Sequence, residues 1–157
     1  MKCRICWTLL LLVILLTGGL VYRLLIRGQT VPAPDGRTAI LLTPDERNLV
    51  LREMRQFLVS VQGVLAGLEA GDMQAVARAA AQSGRASVRQ VPGGLMRKLP
   101  LAFKRLGLAV HDQFDQLALD ARQLGDPAQA RSQLATLLQN CVACHAAYRL
   151  ALEPGGR

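Results

Sequence analysis

The chain has 157 residues, 51% of them hydrophobic and 4% aromatic, with a formal net charge of +8. That length allows one domain plus a short extra segment, and a Leu-, Val- and Ala-rich, aromatic-poor composition suits packed helices better than a β-sandwich. The charge argues against nucleic acid as a partner. Without Lys2, Arg4, Arg23 and Arg27, fifteen basic and eleven acidic residues remain, and the arginines are spread along helical stretches. A mild attraction to acidic partners accounts for the balance.

Residues 1–27 read as a transmembrane signal-anchor. Cys6 to Tyr22 is an uncharged run of 17 residues, and Leu24 to Ile26 extend it past Arg23. With Arg23 snorkelling, the run is long enough to cross a bilayer. Trp7 and Tyr22 stand at its two ends, where interfacial aromatics belong. Lys2, Arg4 and the terminal amine favour a cytoplasmic N-terminus, although Arg23 and Arg27 on the far side blunt that rule. The rival reading is a cleaved signal peptide, cut after Thr17-Gly18-Gly19, where small residues occupy the critical positions. Cys3 and Cys6 form a CxxC without a following histidine; they read as small boundary residues, with a second redox or metal site as the alternative.

Residues 28–42 carry Gly28, Pro32, Pro34 and Gly36 and read as a flexible tether, with Ala39 to Leu42 an apolar patch against the domain. Residues 43–157 then read as four helices. Thr43-Pro44-Asp45-Glu46 combines a cap, a first-position proline and a capping box. Apolar residues follow at Val50, Leu51, Met54, Phe57, Leu58, Val61, Val64, Leu65 and Leu68, spaced three and four apart. Asp72 caps a second helix through Met73, Val76, Ala77 and Ala80, which Gly84 interrupts and Pro92-Gly93-Gly94 stops. Leu95 to Pro100 connects to a third helix near Leu101–Leu124, with Phe103, Val110, Phe114, Leu117, Ala121 and Leu124 on its inner face. Gly125-Asp126-Pro127 turns into a fourth helix carrying Leu134, Leu137, Leu138, Cys141, Cys144 and Tyr148, closed by Gly155-Gly156. No alternating strand pattern is evident. The expected fold is all-α, an antiparallel four-helix bundle preceded by a transmembrane helix.

The fourth helix carries Cys141-Val142-Ala143-Cys144-His145, the attachment pattern of one covalently bound haem c. On a helix the two cysteines share a face, so both thiols reach one edge of a haem, and His145 follows as proximal iron ligand. A thioredoxin-type redox pair would need a βαβ context. A zinc site would need further Cys or His nearby.

A helical bundle with this motif in its last helix resembles the cytochrome c prime family. The local match is Cys141-Val-Ala-Cys144-His145-Ala-Ala-Tyr148-Arg149, where the family has CxxCHxx(Phe/Tyr)Arg. The resemblance covers residues 43 to 152 in architecture and is specific only over that last stretch. The membrane segment and tether depart from it, which puts the family's dimerisation through its first two helices in question and leaves a homodimer open. In this family the first helix supplies the residue facing the far side of the haem. Low-spin relatives place methionine there as sixth ligand, and Met54 stands at the corresponding position. The resemblance therefore implies a monohaem cytochrome with His145 and Met54 on iron, transferring electrons with membrane or periplasmic redox proteins at the periplasmic face of a bacterial inner membrane, or as a soluble periplasmic protein after signal cleavage. The alternative is a five-coordinate haem protein that binds NO or CO. A third possibility is a membrane-anchored helical scaffold.

Arg149 is expected one turn beyond His145, shielding the imidazole at the cofactor or serving as a cation near a helix C-terminus. His111 is the rival sixth ligand, or else a surface residue hydrogen-bonded with Asp112 or Asp115. Arg52 and Arg55 flank Met54 as candidates for the haem propionates, or as solvated charges. No paired carboxylates or second histidine near the motif suggest catalysis, so no enzyme activity is expected.

Overall fold

The computed structural model describes residues 2–155, leaving aside the side chains of Lys2, Cys3, Leu24, Leu25, Arg89 and Gln90. Gly156 and the Cys3 thiol therefore lie outside the described residues. The chain is mostly helical, with six α-helices and one small sheet among the described residues.

Helix α1 (Lys2–Val21) passes into six residues of π-helical winding, Tyr22–Arg27. Within it Arg4–Val21 has a mean hydropathy of 2.2, and none of that stretch is buried against the rest of the chain. It is long and apolar enough to cross a membrane, a property that signal sequences share.

The expected flexible tether is replaced by structure. Strand β1 (Thr30–Pro32) pairs antiparallel with β2 (Thr38–Leu42), and Ala33–Arg37 makes the turn between them. β2 then pairs in parallel with β3 (Tyr148–Leu152), matching Thr38 to Tyr148 and Leu42 to Leu152. Ile40 and Leu42 are fully buried. The prolines and Gly36 thus punctuate a hairpin. β2 hides apolar residues on both faces and reads as a continuous apolar run, which conceals the period of two.

Helix α2 (Pro44–Glu69) begins as its sequence requires. Glu46 N donates to Thr43 Oγ1 at 3.3 Å and Thr43 N donates to Glu46 Oε2 at 2.9 Å, closing the capping box. Its buried face is Val50, Phe57, Ser60, Val64 and Gly67. Leu58 and Leu65, expected on that face, are 69% and 52% exposed. Helix α3 (Met73–Ala81) is capped by Asp72, which accepts from Ala75 N at 2.9 Å. A 3₁₀ segment (Arg85–Gln90) and short helix α4 (Gly93–Lys98) lead to α5 (Leu101–Gln123). Asp126 and Pro127 then open α6 (Pro127–Ala147). α6 ends earlier than expected, because Tyr148 to Leu152 are drawn into the sheet beside β2.

α2 packs on α3, α3 on α5, and α5 on α6, while α6 touches α2 only lightly. One core lies among these helices, centred on Phe57, Val64, Val76, Phe114, Leu117 and Leu137. A second, of Ile40, Leu42, Val50, Leu95 and Leu99, joins the sheet to α2 and α4. Lys98 fastens that second core. Its Nζ donates at 2.6 Å to both Glu46 and Glu153, joining the start of α2, the end of α4 and the residue after β3.

Candidate functional site

A cleft of about 320 Å³ opens between the two cores. Its lining is mostly apolar, including Phe57, Val88, Leu95, Met96, Phe103 and Leu108. From α6 come Cys141, Cys144 and His145, and from α2 comes Met54. A second cavity of about 220 Å³ shares Val50, Met54, Phe103, Cys144 and His145 with the first and adds Arg37, Arg47 and Arg149. Met54 and His145 therefore border both. The loose contact between α2 and α6 is what leaves room here, and the helix spacing sets both cysteines on the cleft side.

Cys141 and Cys144 are half-buried and His145 is exposed. Burial raises the pKa of the Cys141 thiol. Burial, joined by the neighbouring Cys141 thiolate charge, pushes the Cys144 thiol up to about 11. Both are therefore neutral thiols near neutral pH, inert as metal-ligating thiolates in this state. Among the described residues no group of three or more His, Cys, Asp or Glu side chains converges as a metal site. A haem c needs no such group: two thiols at one edge and an imidazole suffice, in an apolar slot. The donors and the lining fit that requirement.

Arg149 is not on a helical turn after His145. It lies in extended β3, and its Nη1 donates to Asp35 Oδ2 at 3.3 Å. Asp35 also accepts from Arg37 Nη2 at 2.7 Å, and the Arg37 bonds hold its carboxyl down at about 2. Arg37 in turn caps the end of α6: its Nη1 donates to the carbonyls of His145 at 3.3 Å and Tyr148 at 3.5 Å. The hairpin turn thus grips the helix end that carries the histidine.

His111 is not a surface residue. It is 3% exposed, with Nδ1 2.8 Å from the Ser83 carbonyl and its ring 4.8 Å from that of Phe57. A carbonyl only accepts, so Nδ1 carries the hydrogen. Nε2 lies 3.8 Å from Glu53 Oε1, which also accepts from Ser87 Oγ at 3.0 Å. Its expected partners are engaged elsewhere: Asp112 by the Arg85 side chain and Asp115 by the Arg85 amide. His111 lines the first cavity, as Met54 does.

Arg52 and Arg55 are exposed and line neither cavity. The cations that line the second cavity are Arg37, Arg47 and Arg149, and Lys104 lines the first. Arg37 and Arg47 carry no local sequence signal, since Arg37 reaches the site through a strand pairing with the far end of the chain. Tyr148 packs its ring edge-on to Phe103 at 5.4 Å, closing one wall.

No known protein family, curated protein or solved structure matches this chain.

Proposed function

We propose that this chain is a monohaem c-type cytochrome that transfers electrons at the periplasmic face of the inner membrane, held there by α1, with the haem-bearing antiparallel four-helix bundle of the cytochrome c prime family formed by α2, α3, α5 and α6. The observation that carries the reading is the convergence of Cys141, Cys144, His145 and Met54, from two helices, on one apolar cleft. A haem bound there would supply reversible one-electron chemistry at iron.

The chain's own residues divide the remaining work. Cys141 and Cys144 would hold the group by thioether bonds, and His145 would offer it an imidazole ligand. Met54 would offer a thioether from α2, a soft ligand that favours the reduced state. Arg47, with Arg37 and Arg149 beside the same cavity, offers cations for the carboxylates of the group. The apolar walls exclude water and keep the redox centre in a low dielectric. An anchor concentrates the domain near membrane oxidoreductases and removes one dimension of their search.

The test is an optical spectrum of the full chain produced with the c-type maturation machinery, recorded oxidised, reduced, and reduced under CO. A covalently attached haem in a low-spin state, with little response to CO, is the expected result. Met54→Ala then converts the oxidised spectrum toward high spin. A high-spin wild-type spectrum that shifts promptly under CO would instead support an open distal face and NO or CO binding. A colourless folded protein from a maturation-competent host would reject the haem reading.

A further inference from the structure

Charge is distributed unevenly along the chain. No Asp or Glu occurs before Asp35, and none occurs between Asp72 and Asp112, a stretch that holds seven Lys and Arg residues. The fold brings these two acid-free stretches together. The winding over Tyr22–Arg27 contacts both α4 and α5. Just after it, Gln29 N donates to the Lys98 carbonyl at 2.8 Å. Gly28 there sits so close to Lys98 and Pro100 that a Cβ would overlap the Lys98 carbonyl oxygen. Lys104 Nζ donates to the Met96 carbonyl at 3.2 Å, which ties the start of α5 to α4.

At this junction Lys98 turns inward to Glu46 and Glu153. Arg23, Arg27, Arg97 and Arg105 remain exposed, and none makes an ion pair among the described residues. Arg97 and Arg105 stand on α4 and α5, the two helices that contact the winding carrying Arg23 and Arg27, where α1 with its unburied apolar stretch joins the folded domain.

We propose that Arg23, Arg27, Arg97 and Arg105 form a basic collar that binds the headgroup phosphates of anionic phospholipids, seating the domain on the bilayer that α1 crosses. This rests on reading α1 as a membrane span. Guanidinium groups pair with phosphate oxygens in a planar, bidentate fashion, and each cation near an anionic surface adds to the attraction. The collar gives Arg23 and Arg27 a purpose on the side where the orientation rule disfavours them. It also fixes which face of the domain meets the membrane, because Gly28 and Gln29 leave no slack between helix and domain.

The test uses the full chain mixed with vesicles of phosphatidylcholine alone, or of phosphatidylcholine with phosphatidylglycerol. Flotation with the neutral vesicles reports the span. Amide hydrogen exchange over residues 93–105 reports the seating. The expected result is slower exchange in the phosphatidylglycerol vesicles, with about a fivefold loss of that extra protection for each of Arg97→Gln and Arg105→Gln. Added salt should erase the same difference. Arg122→Gln, in the last turn of α5, leaves it unchanged. A chain that floats but exchanges alike in both lipids overturns the collar and spares the anchor. So does a lipid-dependent difference that survives the two substitutions. A chain that fails to float on neutral vesicles overturns both.

Discussion

Cys144 sits where its surroundings work against ionisation, and that has a measurable consequence. Its folded pKa of about 11 lies above the ordinary 9.0. Between those values the folded chain holds a proton that the unfolded chain has released, so folding stability falls as pH rises through that window. A thioether has no such proton. The haem-free chain should therefore lose stability between pH 9.0 and about 11, and the haem-linked chain should lose less, as denaturant unfolding across that range would read. Lys98, whose pKa is raised within its pair of carboxylates, adds a decline of the same sign at higher pH in both forms. The haem-free double variant Cys141→Ala, Cys144→Ala leaves the Lys98 part together with that of Tyr148, whose phenol pKa is raised by burial. The motif was legible at this scale because its spacing is local. The place of His111 was not, because Ser83 and Ser87 reach it from a segment more than twenty residues away.

Among the elements, the long helices were legible; the strands were not, nor was short α4, which forms where Pro92-Gly93-Gly94 reads as a stop and Leu95 to Pro100 as a connector. Thr43 to Glu46, Asp72 and Asp126-Pro127 announce helix starts with groups that satisfy orphan amides, and each does so in the folded chain. Helix ends are weaker signals. Nothing in Tyr148-Arg149-Leu150 stops α6 by itself; pairing with β2 does, and that partner lies at the other end of the domain. The inner face of α2 was overdrawn for a related reason: Leu58 and Leu65 obey helical spacing but point away from α3 and the core. Lys98 is the residue that binds these elements to one another. Lys98→Ala takes the ammonium donor from two part-buried carboxylates, leaving Glu46 with the Thr43 amide alone, and should cost about 1–3 kcal/mol in denaturant unfolding. Arg85→Ala, at the exposed and solvent-screened pair with Asp112, should cost clearly less. Equal losses would mean that the Lys98 contacts do not hold the two ends of the domain together.

For the molecule as a whole, the joint between α1 and the domain matters more than its sequence suggested. Glycines and prolines over residues 28–42 resemble a linker, yet Gly28 has a φ of +64° and backbone atoms of Lys98, Leu99 and Pro100 against it. Any side chain there meets both a disfavoured conformation and occupied space. Gly36 also has a positive φ, at +82°, but open space around it. Gly28→Ala should therefore lower the thermal midpoint of the domain clearly more than Gly36→Ala, whose penalty of about 1 kcal/mol is conformational alone. Equal shifts would mean that the joint yields and that the domain moves relative to α1. Single-sequence reasoning reached the mostly helical class and named Met54, Cys141, Cys144 and His145, which line one cleft, but the joint is a contact between distant segments and leaves no local period.

The pairing of β2 with β3 also imposes an order of events in time. It joins residues more than a hundred positions apart, the largest separation of any strand pair here, and contacts of that range close late in folding. β3 begins three residues after His145, so the sheet cannot close until the chain has been delivered through its last turns. Until then Cys141 and Cys144 lie in a segment with one end unfastened. In the cytochrome reading proposed above, the strand that follows the motif would act as a latch, leaving the thiols accessible for attachment before it fastens the end of α6 that carries His145.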